Sequence, residues 1–120
     1  MHWIENRNLI RIFTNNEAIF ELLTVGKSQD KRYRSLPKSA VNGLLKAYNI
    51  MLKVDRVEDL FQHKGLNYKR LKGDLREYES VRCDSKYRLL FISSLLGNDM
   101  LITEVELIEI TNHYEKLWPK

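Results

Sequence analysis

The stretch LKGDLREYESVRCDSKYRLLF, residues 71–91, constrains the fold more than any other part of the chain. Its side chains alternate in character in steps of two from Tyr78 to Cys83, and the pattern restarts at Tyr87 after a short polar break. This spacing predicts two adjacent strands. Arg88 stands inside the apolar run of the second strand, so it is either a solvated edge residue or a cation held on a sheet to meet an anion.

Further segments have the composition of strands: 9–13, 68–71 and 101–110, in addition to 78–83 and 87–93. Turn-forming glycine, aspartate, asparagine and serine residues separate the strands of the second half of the chain. Strands concentrated in that half, after a helical first half, predict an α+β domain rather than alternating βαβ units.

Two helices are predicted in the first half. Thr14 and Glu17 have the spacing of a capping box, which predicts a helix that ends near Gly26. Apolar residues at steps of three and four over 38–53 predict a second, amphipathic helix that begins at Pro37, and a further helical turn is expected at 57–61. We therefore expect two N-terminal helices packed on one face of a small, mainly antiparallel sheet, with a short C-terminal helical segment at 113–118.

Length and composition bound the class of protein. At 120 residues the chain is expected to form one domain, residues 1–120. No apolar run approaches the roughly 18 residues of a membrane span, and Glu5, Arg7 and Arg11 interrupt any signal sequence. The single cysteine, Cys83, excludes an internal disulfide and is expected to be a packed side chain. We expect a cytoplasmic protein without a membrane partner.

Positive charge is concentrated in two segments, although the net formal charge is only +4. Residues 27–38 contain five lysine and arginine residues against Asp30 alone, and residues 64–88 are also rich in cations. These segments suit a face that binds phosphate groups, or else a solvated surface with no ligand.

Several kinds of site are absent from the sequence. His2, His63 and His113 are too dispersed to indicate a metal site. The glycine-rich phosphate loops and the nucleophile elbow of hydrolases are also absent. We therefore expect no metal and no cofactor.

The remaining chemistry consists of cations and a few groups that can move protons. Metal-free cleavage of RNA needs a base for the ribose 2′-hydroxyl, cations for the phosphate and an acid for the leaving 5′-oxygen. A sheet would gather such groups from neighbouring strands, which lie about 5 Å apart. The alternative is a basic surface without catalysis. The candidates are Lys69, Arg70, Lys72, Arg82, Arg88 and the segment Asn112-His113-Tyr114.

Three sequence motifs in the second half of the chain resemble those of a known protein family. Leu71-Lys72-Gly73-Asp74, Tyr78-Glu79-Ser80-Val81-Arg82 and Lys86-Tyr87-Arg88-Leu89-Leu90-Phe91 resemble the core of HigB-type toxins of the RelE/ParE superfamily. The resemblance is strongest over residues 58–114. It implies the RelE/ParE-like fold and a metal-independent, ribosome-dependent mRNA endonuclease of a type II toxin–antitoxin system, with the mRNA 2′-hydroxyl as nucleophile. It also implies a HigA-like antitoxin with a helix-turn-helix domain that forms a hetero-oligomer with the toxin.

The resemblance also assigns roles to residues. Lys72 matches a lysine near the scissile phosphate, Arg88 the arginine that stabilises this phosphate, and Arg82 a supporting arginine. Lys69 stands where many HigB toxins have a histidine, which makes it the candidate base.

The usual C-terminal Asp-Tyr-His is replaced here by Asn112-His113-Tyr114, so His113 or Tyr114 is expected to orient the nucleotide or supply the acid. Further RNA contacts are expected from Arg70 and from the cations of the basic segment, namely Lys31, Arg32 and Arg34. Two alternatives of the same fold stay open: a ParE-like inhibitor of DNA gyrase, and a non-catalytic protein that only binds its antitoxin.

Overall fold

The computed structural model describes residues 2–7, 9–97 and 101–112. The predicted helical segment at 113–118 therefore lies outside the described residues. Within them, short 3-10 helices cover Val57–Gln62, Lys64–Leu66 and Gly73–Leu75. The helices and strands are β1 (His2–Arg7), β2 (Ile10–Thr14), α1 (Glu17–Thr24), α2 (Lys38–Met51), β3 (Lys69–Arg70), β4 (Glu79–Arg82), β5 (Arg88–Leu96) and β6 (Ile102–Thr111).

The strands form one six-stranded sheet in the order β1-β2-β6-β5-β4-β3. Neighbouring strands run antiparallel except for β2 and β6, which are parallel. The prediction of a mainly antiparallel sheet is confirmed, but the sheet is mixed because the N-terminal hairpin lies beside the last strand. The sequence analysis missed β1, an edge strand that pairs with β2 alone. Such a strand is held by backbone hydrogen bonds on one side and needs no strong alternation.

The cap of the first helix lies two residues later than predicted. Asn16 is the N-cap of α1, and its side chain accepts hydrogen bonds from the amides of Ala18 and Ile19. Thr14 instead donates its hydroxyl to the carbonyl oxygen of Leu107, at 2.7 Å. The predicted capping box is therefore wrong: Thr14 is still part of β2 and pairs with Leu107 of β6, and its hydroxyl oxygen accepts the amide of Asn16, which precedes the helix.

The second helix follows Pro37 directly, as predicted, and ends at Met51. It packs closely against the sheet at Gly43, where an added Cβ would lie 1.6 Å from the carbonyl oxygen of Cys83. Cys83 is buried, and burial raises the pKa of its thiol to about 12. The expectation of a packed cysteine is confirmed.

The hydrophobic core lies between the two helices and one face of the sheet. Leu44 of α2 packs in the same cluster as Val81 of β4, Leu89 and Phe91 of β5, and Leu107 of β6. Since side chains along a strand alternate between faces, the residues between these core positions point away from the helices. In the described ranges, no helix has the length and apolar character needed to cross a bilayer.

Candidate functional site

Four of the polar side chains on β3, β4 and β5 share the sheet face that points away from α1 and α2. Lys69 pairs with Ser80 across β3 and β4, and Arg82 pairs with Arg88 across β4 and β5. Paired residues place their side chains on the same face, and Ser80 and Arg82 are two positions apart on one strand. We call this set of Lys69, Ser80, Arg82 and Arg88 the outer face. The sheet register thus brings three of the predicted site residues together.

Arg88 is 2 % exposed, so it is not the solvated edge residue that the sequence left open. Its Nε donates to Oγ of Ser80 at 3.0 Å, and its Nη2 donates to the backbone carbonyls of Ser80 and Asn67. These three acceptors are neutral oxygen atoms, and the contacts hold the guanidinium in one orientation. The guanidinium of Arg88 therefore lies against β4, beside the small side chain of Ser80.

The other cations of this region differ in exposure. Arg82 is exposed, and its Nε donates to the backbone carbonyl of Asp84 at 3.2 Å rather than to a carboxylate. Lys69 is partly exposed. Lys72 is exposed and caps the 3-10 helix that begins at Gly73, whose φ of +64° confirms the predicted turn glycine. Arg82 is therefore the outer-face cation that a ligand reaches most directly, whereas Lys72 lies beyond the end of β3 and is not among the paired residues of that face.

Arg70 is separated from this group because it follows Lys69 by one residue and so points to the opposite face. Its Nη2 lies 2.9 Å from Oε1 of Glu58, and its Nε donates to the hydroxyl of Tyr68 at 3.3 Å. These contacts engage the guanidinium on the helix side of β3. The structure does not bring this predicted RNA contact to the outer face.

The sequence analysis missed a buried polar cluster on that opposite side. Glu79 is buried, and its carboxylate accepts hydrogen bonds from the hydroxyl of Tyr68 and from the amide and hydroxyl of Ser93. Burial, and then the hydrogen bond to Glu79, raise the pKa of Tyr68 well above its usual range. The cluster borders a groove of about 580 Å³ that Arg70 also lines. The signal was present, since the alternation puts Glu79 on the same face as Val81.

Ser80 is the second residue that the sequence reasoning missed. It is fully buried and accepts the Nε hydrogen bond of Arg88. The sequence contained a signal for this role: Ser80 stands two residues before Arg82, so alternation puts both side chains on the face that Arg88 shares.

The basic loop, residues 27–36, is fixed to the helix side of the sheet. The hydroxyl of Tyr33 accepts hydrogen bonds from the amide of Ile110 at 3.1 Å and from Nδ2 of Asn16 at 3.4 Å. Lys31, Arg32 and Arg34 are exposed on this loop. Because the loop is anchored beside the helices, these three cations form a second basic surface, separate from the outer face.

Arg32 is partly neutralised by a neighbour. Its Nε lies 3.0 Å from Oδ1 of Asp30, and the hydrogen bonds that Arg32 donates hold the pKa of this carboxyl below its usual range. Of the loop cations, Arg32 therefore presents the least uncompensated charge.

Two predicted site residues, His113 and Tyr114, lie outside the described residues. Over the ranges that the structure covers, no three His, Cys, Asp or Glu side chains are grouped so that they could hold a metal ion.

The sheet, the two helices and the paired cations define a small α+β domain with a basic sheet face. The chain is 34% identical over 62 residues to Toxin HigB-1 of Vibrio cholerae serotype O1 (strain ATCC 39315 / El Tor Inaba N16961). This match covers 52% of the chain and 65% of the relative, so the chain spans just under two thirds of the relative's length. The resemblance to HigB-type toxins that the three motifs predict is confirmed by this match.

A solved structure and family models were also compared with the chain. A YoeB/ParE toxin from Agrobacterium tumefaciens aligns with a TM-score of 0.45 and 15% sequence identity, covering 82% of this chain and 93% of that one. A likeness at this level says nothing of activity. No family model matches the chain.

Proposed function

We propose that the protein is the toxin of a type II toxin–antitoxin system and a metal-independent endonuclease that cuts mRNA on the ribosome, in the cytoplasm. The similarity to Toxin HigB-1 supports the toxin role. The pairing of Lys69 with Ser80 and of Arg82 with Arg88 carries the proposed chemistry, because it gathers three cations on one sheet face. A HigA-like antitoxin with a helix-turn-helix domain would neutralise the toxin in a hetero-oligomer.

The proposed reaction is attack of the ribose 2′-hydroxyl on the adjacent phosphate. Lys69, acting as the neutral amine, takes the proton of the 2′-hydroxyl, the new bond between the 2′-oxygen and phosphorus forms, and the bond to the 5′-oxygen breaks. The products are a 2′,3′-cyclic phosphate and a 5′-hydroxyl. His113 or Tyr114 would donate the proton that the leaving 5′-oxygen receives.

The cations stabilise the charge that builds on the phosphate during this attack. Lys72 and Arg82 are exposed and would contact the phosphate oxygens directly. Arg88 is buried, and its contacts with Ser80 and Asn67 hold it in one orientation, so it would present a fixed guanidinium beneath the phosphate. Lys31, Arg32 and Arg34 would contact ribosomal RNA, while Arg70, held by Glu58 and Tyr68, is left out of the proposed site.

The test is to map mRNA 5′ ends in cells after induction of the wild type, Lys69→Ala and Arg82→Ala. We expect the wild type to produce new 5′ ends within translated codons, and each variant to lower their yield by about 10²-fold or more. Arg76→Ala is the matched control, because Arg76 is an exposed arginine that lines the groove on the helix side. It should cut like the wild type.

Other outcomes contradict the proposal. Intact mRNA together with arrested DNA gyrase would indicate a ParE-like inhibitor. Intact mRNA and active gyrase, with the antitoxin still bound, would indicate a non-catalytic protein. Equal loss of cleavage in Arg76→Ala and Arg82→Ala would show that the outer face is not the site.

A further inference from the structure

A pocket with an aliphatic wall opens between the end of α1, the basic loop and the first turns of α2. Its volume is about 350 Å³. Leu22 forms its buried part, while Leu36, Val41 and Leu45 are partly exposed. Val25, just beyond α1, is 67% exposed beside it. An aliphatic surface of this kind is stabilised when an apolar side chain from a partner removes it from water.

The rim of the pocket carries positive charge alone. Lys27, Arg34 and Lys38 line it and are exposed, whereas no aspartate or glutamate is among its lining residues. Among the residues that the structure describes, no carboxylate pairs with any of these three side chains. Side chains of one sign around a cleft focus the potential there and raise the local concentration of the opposite charge.

The helix that begins at this rim adds to the positive potential. The N-cap of α2, Pro37, provides no side-chain hydrogen bond, and the first turn contains no acidic residue. The first turn of a helix without such a residue keeps its partial positive charge. The charge of the pocket and the dipole of the helix therefore favour the same kind of ligand, an anionic one.

We propose that this pocket binds an acidic segment of a partner protein. An apolar side chain of that segment enters the cavity, and the carboxylates that flank it pair with Lys27 and Lys38. This inference goes beyond the proposed mRNA cleavage and does not rest on it, because the proposed cleavage site lies on the outer face and the pocket lies beside the helices.

The walls favour a peptide over RNA. Basic surfaces that bind single-stranded RNA commonly offer an exposed aromatic ring on which a base stacks. The aromatic residue of this pocket is Tyr33, which is 4% exposed and whose hydroxyl is bonded to Asn16 and Ile110. Its ring is therefore closed to a base, whereas aliphatic side chains suit the leucine or isoleucine of an amphipathic helix.

The experiment measures the binding of a fluorescein-labelled synthetic peptide, two repeats of Glu-Leu-Glu-Glu-Leu-Leu-Glu with blocked ends, to the full chain by anisotropy. We expect saturable binding that weakens as salt is added. Lys27→Glu and Lys38→Glu should each weaken it roughly tenfold or more, since one charged contact is lost and one repulsion gained.

Lys46→Glu is the matched control. Lys46 is exposed on the same helix as Lys38 but does not line the pocket, and the change in net charge is identical. Its effect should stay below about twofold. Lys38→Glu is not expected to unfold the protein, because a carboxylate in the first turn of a helix is stabilising.

A second peptide and an oligonucleotide decide between the remaining possibilities. The peptide with every leucine replaced by serine should bind at least about tenfold more weakly, since the cavity would receive no apolar side chain. A labelled oligouridylate should not compete with the acidic peptide. Absence of peptide binding, equal weakening by Lys46→Glu and Lys38→Glu, equal binding of the serine peptide, or displacement by the oligouridylate would each overturn the proposal.

Discussion

Arg88 donates a hydrogen bond to the backbone carbonyl of Asn67, 21 residues earlier in the chain. Asn67 has a left-handed backbone conformation with φ of +44° and stands two residues before β3. The guanidinium therefore fixes the point at which the chain turns into the strand of Lys69. Arg88 connects the middle of the sheet to its edge strand, in addition to any role in binding phosphate.

This contact predicts that Arg88→Ala destabilises the protein. The substitution leaves the buried oxygen atoms of Ser80 and the partly buried carbonyl of Asn67 without their donor, which costs about 3 kcal/mol in the free energy of unfolding. Arg82→Ala removes an exposed arginine from the neighbouring strand and should cost less than about 0.5 kcal/mol. Urea unfolding curves of the two variants check this, and equal midpoints would show that Arg88 holds nothing in place.

The close contact of Gly43 with the sheet predicts that a larger side chain there destabilises the protein about as much as Arg88→Ala does. A methyl group at Gly43 would meet the carbonyl of Cys83 at 1.6 Å, and a backbone oxygen cannot rotate away. Gly43→Ala should therefore lower the free energy of unfolding by about 3 kcal/mol, because α2 must move off the sheet. Gly65→Ala is the control, since an added Cβ there meets nothing within 4 Å. Thermal unfolding that shifts equally in both variants would contradict this reading.

The cap of α1 can be tested with three substitutions. Asn16→Ala removes the acceptor for the amides of Ala18 and Ile19 and should cost about 2 kcal/mol. Asn16→Asp keeps that acceptor but loses the donor to the carbonyl of Ile108, so it should cost about half as much. Asn15→Ala, at an exposed neighbour, should change little. Chemical denaturation checks the order, and a larger loss for Asn15→Ala would exclude Asn16 as the cap.

The buried thiol of Cys83 predicts that the free energy of unfolding varies with pH in the alkaline range. Burial raises the pKa of its thiol from 9.0 to about 12, so the folded chain keeps a proton that the unfolded chain loses above pH 9.0. The free energy of unfolding should therefore fall as the pH rises from 9.0 towards 12, and the fall should be smaller in Cys83→Ala. Unfolding curves across this range measure the difference; the same slope in both proteins would contradict it.

The same burial predicts low reactivity of the thiol. At about pH 8 the folded protein should react with a disulfide reagent about a hundredfold more slowly than the urea-unfolded protein. A rapid reaction in the folded state would show that Cys83 is accessible.

The sequence predicted much of the secondary structure because that information is local. Alternation in steps of two located β4 and β5, and the three- and four-residue spacing located α2. Burial of Cys83 followed from its place in a strand. The three motifs predicted the resemblance to HigB-type toxins, and they lie in the half of the chain with the strongest strand pattern.

The start of α1 shows where local information fails. Thr14 and Asn16 are both good caps by residue type, and a capping box made Thr14 the better choice in sequence. The choice was decided by β6, because its parallel pairing with β2 keeps Thr14 in the strand, opposite Leu107, whose carbonyl oxygen accepts the hydroxyl of Thr14. A partner 93 residues away cannot be read from the spacing of two side chains.

The sequence by itself determined which residues alternate on each strand, where the cations are concentrated and that Arg88 stands in an apolar strand. Only the tertiary structure decided that β2 lies parallel to β6, that Arg70 turns towards Glu58, and that Arg88 is buried against Ser80 and Asn67. The physical reason is that strand pairing and burial depend on contacts between distant segments, and these contacts set which face of a strand is closed and which cation reaches solvent.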